Sequence, residues 1–562
     1  MAAPRHFLIS AVCVALTGVL FAGAFSSWPA NEIDVEMYPS FSEASHGGWL
    51  AALTMDRAQN PAISLPYAGW PPLHGLLVCL AGKSGLSFPA AVAAVNALIL
   101  LLSAAAAARL LRLLQLPAAQ LAAAAVVLFS AASWVTATMA FAHILTPLSL
   151  LLGISDFIVS SNASSDASSP RSRPLALAIL AGFFCASMNW AAFFVAPAVV
   201  VASWWLRRLP DTSPAARPST FSATLRWAAA FTLGTILFFV LFKTINLAAS
   251  RDPGALLAAS SGNLDRFKER ALPTPGKLAG AAFFTAARCT VAALVLLAAA
   301  AAARRSRSWL PSSTPAPARI AALALLLAPL GFIAALSGEM AVPAHTFHSR
   351  LFIPWAALSA ALWFPALSSR ARTAGIALLA ASSSLAVWGD RFLPDSLTGS
   401  PALDWMAPGF AAPGNLPVAF SNSTFSPSSV ARTLTKQAVA IHLPNLASRH
   451  SDARGRIFGW LESHRDFIRS NTSQDDVILG WHHMGIVAPW ALDRTVLGGP
   501  DNTAVSRLAA ACLKHLPPHQ LVIPVPAGTQ PDAIAAALNL PDIRWSLSAS
   551  SPDLSLFRGA KP

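Results

Sequence analysis

Charge is what this sequence has little of. Only 11% of its 562 residues are Asp, Glu, Lys or Arg, against 55% apolar residues, whereas a soluble domain carries about 25% charged residues. That deficit, with a mean hydropathy of +0.55, excludes an ordinary soluble globular protein and predicts a polytopic membrane protein. Cysteine is sparse as well. Cys13, Cys79, Cys185, Cys289 and Cys512 are scattered, most of them inside apolar runs and none in a CxxC spacing, which argues against a disulfide framework or a thiolate metal site. There is no internal repeat. Lys plus Arg exceeds Asp plus Glu by 39 to 25, an excess that would suit nucleic acid or another anionic partner. Arginine concentrated in short loops is instead the positive-inside signature of membrane proteins, so the basicity is read as topology and no nucleic-acid partner is expected.

What is present is a series of apolar runs, near residues 7–27, 87–108, 117–137, 141–160, 174–188, 190–206, 222–245, 278–303, 318–337, 349–368 and 373–389. Each is close to the ~20 residues a bilayer-crossing helix needs, which predicts about eleven transmembrane helices. The N-terminal run from Phe7 to Phe25 follows Arg5 and offers a small-x-small site at Ala22-Gly23-Ala24, as a signal peptide would. It exceeds the roughly 7 to 15 apolar residues of a signal core and is read as an uncleaved first span. Arg109 and Arg112, Arg171 and Arg173, Arg207, Arg208, Arg217 and Arg226, Arg304, Arg305 and Arg307, and Arg370 and Arg372 fall in or beside alternate loops. With Arg5 they mark the cytoplasmic side of the membrane. The alternation requires a break at Met188-Asn189-Trp190, where two short spans could otherwise be one.

The loop from Asn246 to Lys277 departs from the charge rule, since it lies on the opposite side yet carries Arg251, Arg266, Lys268, Arg270 and Lys277. An interfacial helix and a surface for anionic lipid head groups both fit it. Residues 1–393 are read as the transmembrane module, with a large first external loop at 29–86, and 394–430 as a Pro- and Ser-rich linker. Residues 431–562 are read as a small soluble α/β domain on the extracytoplasmic side. In it Arg454 to Arg469 has amphipathic helical spacing, Asp476 to Gly480 and Leu521 to Val525 resemble buried strands, and Ser506 to Leu513 another helix.

The polar stretch from Asn31 to His74 stands out beside the greasy spans. It holds Asp34, Glu36, Tyr38, Glu43, Asp56 and Arg57, and closes with Tyr67-Ala68-Gly69-Trp70-Pro71-Pro72-Leu73-His74. Polar residues cost stability at a membrane, so function is the first thing to test there. Asp34 and Glu36 could act as a general base with a helper, or hold a hard divalent cation through oxygen. They could equally be acids at the start of a juxtamembrane helix. His46, His74, His345 and His348 fall on the same side; a metal site assembled with the acids and separate hydrogen-bonding histidines are both open.

Asp34-Val35-Glu36-Met37-Tyr38, then Gly47-Gly48-Trp49, then Tyr67 to Leu77, resembles the first external loop of bacterial GT-C glycosyltransferases. These polytopic enzymes are related to protein O-mannosyltransferases and the lipid A aminoarabinose transferase. In that family an acidic residue just past the first span precedes a Tyr-containing helix and a Trp-Pro-Pro-Leu-Tyr-Pro-like segment; here His74 and Gly75 replace the last Tyr and Pro. His345-Thr346-Phe347-His348-Ser349-Arg350-Leu351-Phe352-Ile353-Pro354 is similar to the family's Arg-Tyr-Leu-like segment opening a late span. Asp475-Asp476-Val477-Ile478-Leu479 looks like the strand that opens its external domain.

The resemblance implies a GT-C-like fold and an inverting transfer of a hexosyl or pentosyl group from a polyprenyl-phosphate carrier to a glycan, lipid or protein acceptor outside the cytoplasm. It matches Asp34 to the catalytic aspartate, with Glu36 as a helper. The departing phosphate calls for a fixed cation: Arg350 first, although it could simply snorkel at a helix end, then Lys83 and Arg57. Tyr38, Tyr67, Trp70, His74, His345 and His348 would line the substrate cleft, and Trp70 to Pro72 would also serve as an interfacial anchor. No Gly-rich loop suits a soluble nucleotide sugar, in keeping with a lipid-linked donor. No cofactor is certain, and a divalent metal stays open. The alternative from another class is a non-catalytic transporter or flippase of lipid-linked glycans. That reading calls for paired polar residues or broken helices near mid-membrane, whereas these spans show almost no charge at their centres, Arg288 being the nearest exception. A structural assembly subunit is a third reading.

Overall fold

The computed structural model describes residues 38–45, 48–54, 56, 71–116, 120–129, 144–164, 172–208, 217–250, 253–254, 256–257, 314–335, 370, 374, 377, 463–479, 492–497, 516–528, 530–532 and 543–560. Three short helices come first: α1 (Tyr38–Ser45), α2 (Trp49–Thr54) and α3 (Leu73–Lys83). The helices α4 (Phe88–Leu113), α5 (Gln120–Phe129), α6 (Leu145–Ser164) and α7 (Ser172–Met188) follow. A 3-10 turn at Trp190–Phe194 leads into α8 (Val195–Arg207), and then come α9 (Arg217–Ala249) and α10 (Ala316–Ala335). The stretches Phe88–Leu113, Leu145–Ala163, Trp190–Arg207 and Phe221–Ala249 are long and apolar enough to cross a membrane.

Among the described residues these four are found, where about eleven spans were expected of the whole chain. The runs expected at 7–27, 278–303 and 349–368, and nearly all of 373–389, lie outside the described residues, as do the linker at 394–430 and the helix expected at Ser506 to Leu513.

Local chemistry explains where the helices begin and end. α4 is built from Ala and Leu, the strongest helix formers, with proline in its first turn. It stops at Gln115, which takes a left-handed φ of 62°. That conformation lets the Leu116 N–H reach back to the Leu111 carbonyl at 2.8 Å, the closing bond of a helix C-terminus. The break expected at Met188-Asn189-Trp190 is present. Asn189 is extended, at φ −162° and ψ 147°, and its side-chain oxygen accepts from the Ala191 N–H at 3.0 Å. An asparagine acting as N-cap ends one helix and starts the next.

Packing fixes the helix directions. Phe183 and Trp190 meet Phe238 and Phe242 of α9, while Arg207 lies over Phe221. α7 therefore runs alongside α9, and residues 190–207 run back against it. The Ser149 hydroxyl donates to the Cys185 carbonyl and Phe157 meets Trp227, so α6 is antiparallel to α7. Arg109 lies near enough to Asp156 for their charges to interact, which places the end of α4 there too. Arg109, Arg173, Arg207, Arg208 and Arg226 thus gather at one end of the bundle. α7 and α9 meet through glycine: a Cβ on Gly182 would collide with the Phe231 carbonyl, and one on Gly234 with the Ile179 carbonyl. Small residues that let backbones touch are the usual means of joining helices in lipid.

Among the charges inside the apolar helices, Lys243 in α9 and Asp156 in α6 were not named in the expectation of almost uncharged span centres; Asp156 lies toward the arginine-bearing end, beside Arg109. Its Oδ2 accepts from Trp227 Nε1 at 2.9 Å and from the Ser160 hydroxyl at 3.5 Å, so the carboxylate pins α6 to α9.

The C-terminal region forms a five-stranded sheet in the order β2-β1-β3-β5-β4, from β1 (Val477–Leu479), β2 (Thr495–Leu497), β3 (Leu521–Pro526), β4 (Arg544–Ser550) and β5 (Leu554–Ala560). β1 pairs parallel with β2 and β3, while β5 pairs antiparallel with β3 and β4. β1 and β2 are wholly buried and β3 nearly so, as expected of continuous apolar parallel strands. The strands expected from Asp476 and Leu521 are both present. Of the helix expected over Arg454 to Arg469, residues 463–470 are described, and they are helical. Arg558 reaches Asp476 with two bonds, Nη1 to Oδ1 at 2.7 Å and Nη2 to Oδ2 at 2.9 Å. The Asp476 side chain is only 3% exposed.

Candidate active site

At the end of the bundle away from those arginines, α1, α2 and α3 pack over the start of α4. Ala44, Ala52 and Cys79 form a small buried cluster between them, with Phe41 and Leu76 against it. The Ser40 hydroxyl donates to the Asp56 carbonyl at 2.8 Å and so ties α1 to the chain just past α2. The approach is close enough that a Cβ on Gly82 would strike the Phe41 ring.

Tyr38 opens α1 and stands at a junction. Its ring meets Phe88, the first residue of α4, edge-on at 5.2 Å, and Phe41 at 6.5 Å. Its hydroxyl donates to Oδ1 of Asp493 at 2.7 Å, across 455 positions of sequence. Burial, and then the bond to the Asp493 carboxylate, push this hydroxyl well above its ordinary range. Tyr38 is therefore a fixed proton donor. Asp493 sits two residues before β2 in a left-handed conformation, φ 52°. Gln474 donates to its other oxygen at 3.5 Å. The neighbouring Arg494, almost wholly buried, donates to the carbonyls of Asp493 at 2.8 Å and Thr472 at 3.0 Å. The sheet domain is thereby held against the end of the bundle that carries α1.

His74, in the first turn of α3, is fully buried. Its Nε2 lies 2.7 Å from Oδ1 of Asn96 in α4, and its Nδ1 has no hydrogen-bond partner. At about 16 Å, from 1.5 Å per residue, the 11-residue α3 is too short to cross a bilayer. There, burial outweighs the bond to Asn96 and pulls the imidazole down to about 4. A neutral, enclosed histidine shapes a wall. Pro71 and Pro72 before it are buried too. Lys83, the other described candidate, ends α3 at the surface, its ammonium 5.9 Å from the centre of the Trp49 ring.

Of the residues singled out from sequence, Tyr38, His74 and Lys83 are thus brought to one end of the bundle. Asp34, Glu36, Arg57, Tyr67, Trp70, His345, His348 and Arg350 lie outside the described residues. Among the described residues no three His, Cys, Asp or Glu side chains cluster as metal ligands would. Sequence reasoning missed Asp493, Asn96 and Lys243, whose ammonium lies over the Phe239 ring at 5.6 Å. Lys243 announced itself as a cation inside an apolar run; Asp493 carried no motif.

No protein-family profile matches the sequence, and no curated protein does. Solved structures do match. The chain is similar to ArnT from Cupriavidus metallidurans bound to undecaprenyl phosphate, at 12% identity and a TM-score of 0.61, over 99% of this chain and 98% of that one. It is also similar to the same protein in the apo state, at 13% identity and a TM-score of 0.51, with the same coverage. Over nearly its whole length the chain has the GT-C fold of the aminoarabinose transferase ArnT.

Proposed function

We propose that this protein is an integral-membrane glycosyltransferase that moves a hexosyl or pentosyl group from a polyprenyl-phosphate donor to an extracytoplasmic acceptor. The observation that carries this reading is the end-to-end likeness to a structure that holds undecaprenyl phosphate. Asp34 takes the proton of the acceptor hydroxyl or amine as its oxygen or nitrogen bonds to the anomeric carbon. The bond from that carbon to the phosphate oxygen breaks on the opposite face, and the lipid phosphate leaves with the electron pair. Glu36 assists Asp34.

Arg350, Lys83 and Arg57 are the cations assigned to the leaving phosphate, whose charge grows as the bond breaks. Lys83 is exposed at the α3 terminus. Tyr67, Trp70, His345 and His348 are assigned to the cleft, and Tyr38 and His74 to its support, since one hydroxyl is committed to Asp493 and the other ring is enclosed. The membrane is a bacterial inner membrane, with the arginine-rich end in the cytoplasm. A transporter would use an intramembrane charge such as Asp156 as a moving site, but its bonds to Trp227 and Ser160 favour a fixed clamp.

Asp34→Asn tests the reading. Loss of a general base costs about 10²- to 10⁴-fold in rate, so transfer falls to background while the protein still folds in the membrane. Retained transfer removes Asp34 from this role. Arg350→Ala raises the KM for the lipid donor more than that for the acceptor; an equal rise in both counts against its phosphate role.

A further inference from the structure

We infer that Asp493 is a positioning residue for the proposed transfer: through Tyr38 it fixes the chain that carries Asp34. The inference rests on the role given to Asp34 above and adds that the C-terminal domain sets where that residue stands.

Three observations carry it. Tyr38 follows Asp34 by four positions, so the two Cα atoms are at most about 14 Å apart, and any shift of Tyr38 is passed along a very short tether. Tyr38 is held at both ends of its side chain, the ring by Phe88 at the start of a membrane span and the hydroxyl by Asp493 in the sheet domain. A bond to an ionised acceptor is among the stronger hydrogen bonds available.

Asp493, in turn, is itself fixed. At φ 52° it takes a left-handed conformation that non-glycine residues seldom adopt. It persists here because Arg494 grips the Asp493 and Thr472 carbonyls and Gln474 holds the second carboxylate oxygen. Such a conformation survives where the surroundings over-determine the backbone, and its effect is to aim the carboxylate at Tyr38 from a rigid corner before β2. The sheet thus contributes no reacting group; it supplies a fixed acceptor that locks the beginning of α1.

The test uses the full-length protein in lipid nanodiscs, as wild type, Asp493→Ala, Asp493→Asn and Tyr38→Phe. Amide hydrogen exchange over residues 31–45 and steady-state turnover of undecaprenyl-phosphate-linked pentoses and hexoses are measured on each. A bond to a charged group is worth about 1.5–3 kcal/mol, so exchange in Asp493→Ala and Tyr38→Phe rises about tenfold or more. In the same variants kcat falls by a similar factor, while the KM for the lipid donor stays within about twofold, as expected when alignment and not binding is lost. Asp493→Asn keeps an acceptor oxygen but not its charge, and gives a rise in exchange and a fall in turnover smaller than those of Asp493→Ala. The Tyr38→Phe, Asp493→Ala double variant is no slower than Asp493→Ala alone. Unchanged exchange over 31–45 in both Asp493→Ala and Tyr38→Phe overturns the inference, and so does a kcat equal to that of wild type. If wild type turns over none of these donors while exchange responds as described, the tie is supported and the role of Asp34 is what fails.

Discussion

Tyr38 and Asp493 share a 2.7 Å hydrogen bond although 455 residues separate them. The bond joins α1 to the C-terminal sheet domain, at the end of α4 opposite Arg109 and Arg112. At about 1.5 Å per residue, the 26-residue α4 spaces those two ends by nearly 40 Å, more than a hydrocarbon core. In a background without the native cysteines, single cysteines at the exposed positions Leu50 and Leu547 are predicted to react with an impermeant maleimide on the same side of the membrane. One at Arg208 reacts only from the other side. Labelling of Leu50→Cys and Leu547→Cys from opposite sides contradicts the arrangement.

The buried His74 predicts a pH dependence. Its folded value of about 4 lies below the ordinary 6.5, so between those limits the unfolded chain binds the extra proton. Stability from the neutral ring is complete above pH 6.5, declines as pH falls toward 4 and changes no further below that. The full effect is about 3 kcal/mol at 1.36 kcal/mol per unit. Detergent-solubilised wild type should therefore lose melting temperature between pH 6.5 and 4 more steeply than His74→Gln. Parallel curves for the two would show that the ring does not titrate in this way.

The glycine contact between α7 and α9 sets a steric prediction. Alanine at Gly182 or Gly234 must displace a backbone carbonyl of the facing helix, and overpacking of this kind costs about 1–3 kcal/mol. Each variant is expected to melt several degrees lower in detergent, by roughly the shift such a loss causes in a large domain. Alanine at Gly528, where nothing lies within 4 Å, tests the other case: its cost comes from the left-handed φ of 81° alone and is confined to the β3 turn. Equal melting temperatures for wild type and Gly234→Ala would show that the helices do not meet there.

Much of the fold was legible in the sequence, because a membrane span is a long-range average over some 20 residues and needs no detail. The runs at 87–108 and 222–245 became α4 and α9, and the arginine alternation required the break that Asn189 makes. The buried strands at Val477 and Leu521 followed from short apolar β-branched runs. What escaped is what depends on pairs distant in sequence. Nothing local to Asp493 marks it as the partner of Tyr38, and nothing near His74 announces that Asn96 encloses it. One clue was available: the chain has only two tyrosines, Tyr38 and Tyr67, and both lie in the stretch from Asn31 to His74. That scarcity singles out Tyr38 in the sequence but not its partner.

The central claim is transfer from a polyprenyl-phosphate donor, and its most direct measurement is the donor's own fate. Purified full-length protein in nanodiscs is incubated with undecaprenyl-phosphate-linked pentoses and hexoses together with membrane extract as acceptor, and free undecaprenyl phosphate is followed by mass spectrometry. Wild type is predicted to release undecaprenyl phosphate steadily from at least one donor, with a matching gain of sugar mass on an acceptor, and Asp34→Asn to release none above background. Release from none of the donors, or equal release by wild type and Asp34→Asn, would contradict the account.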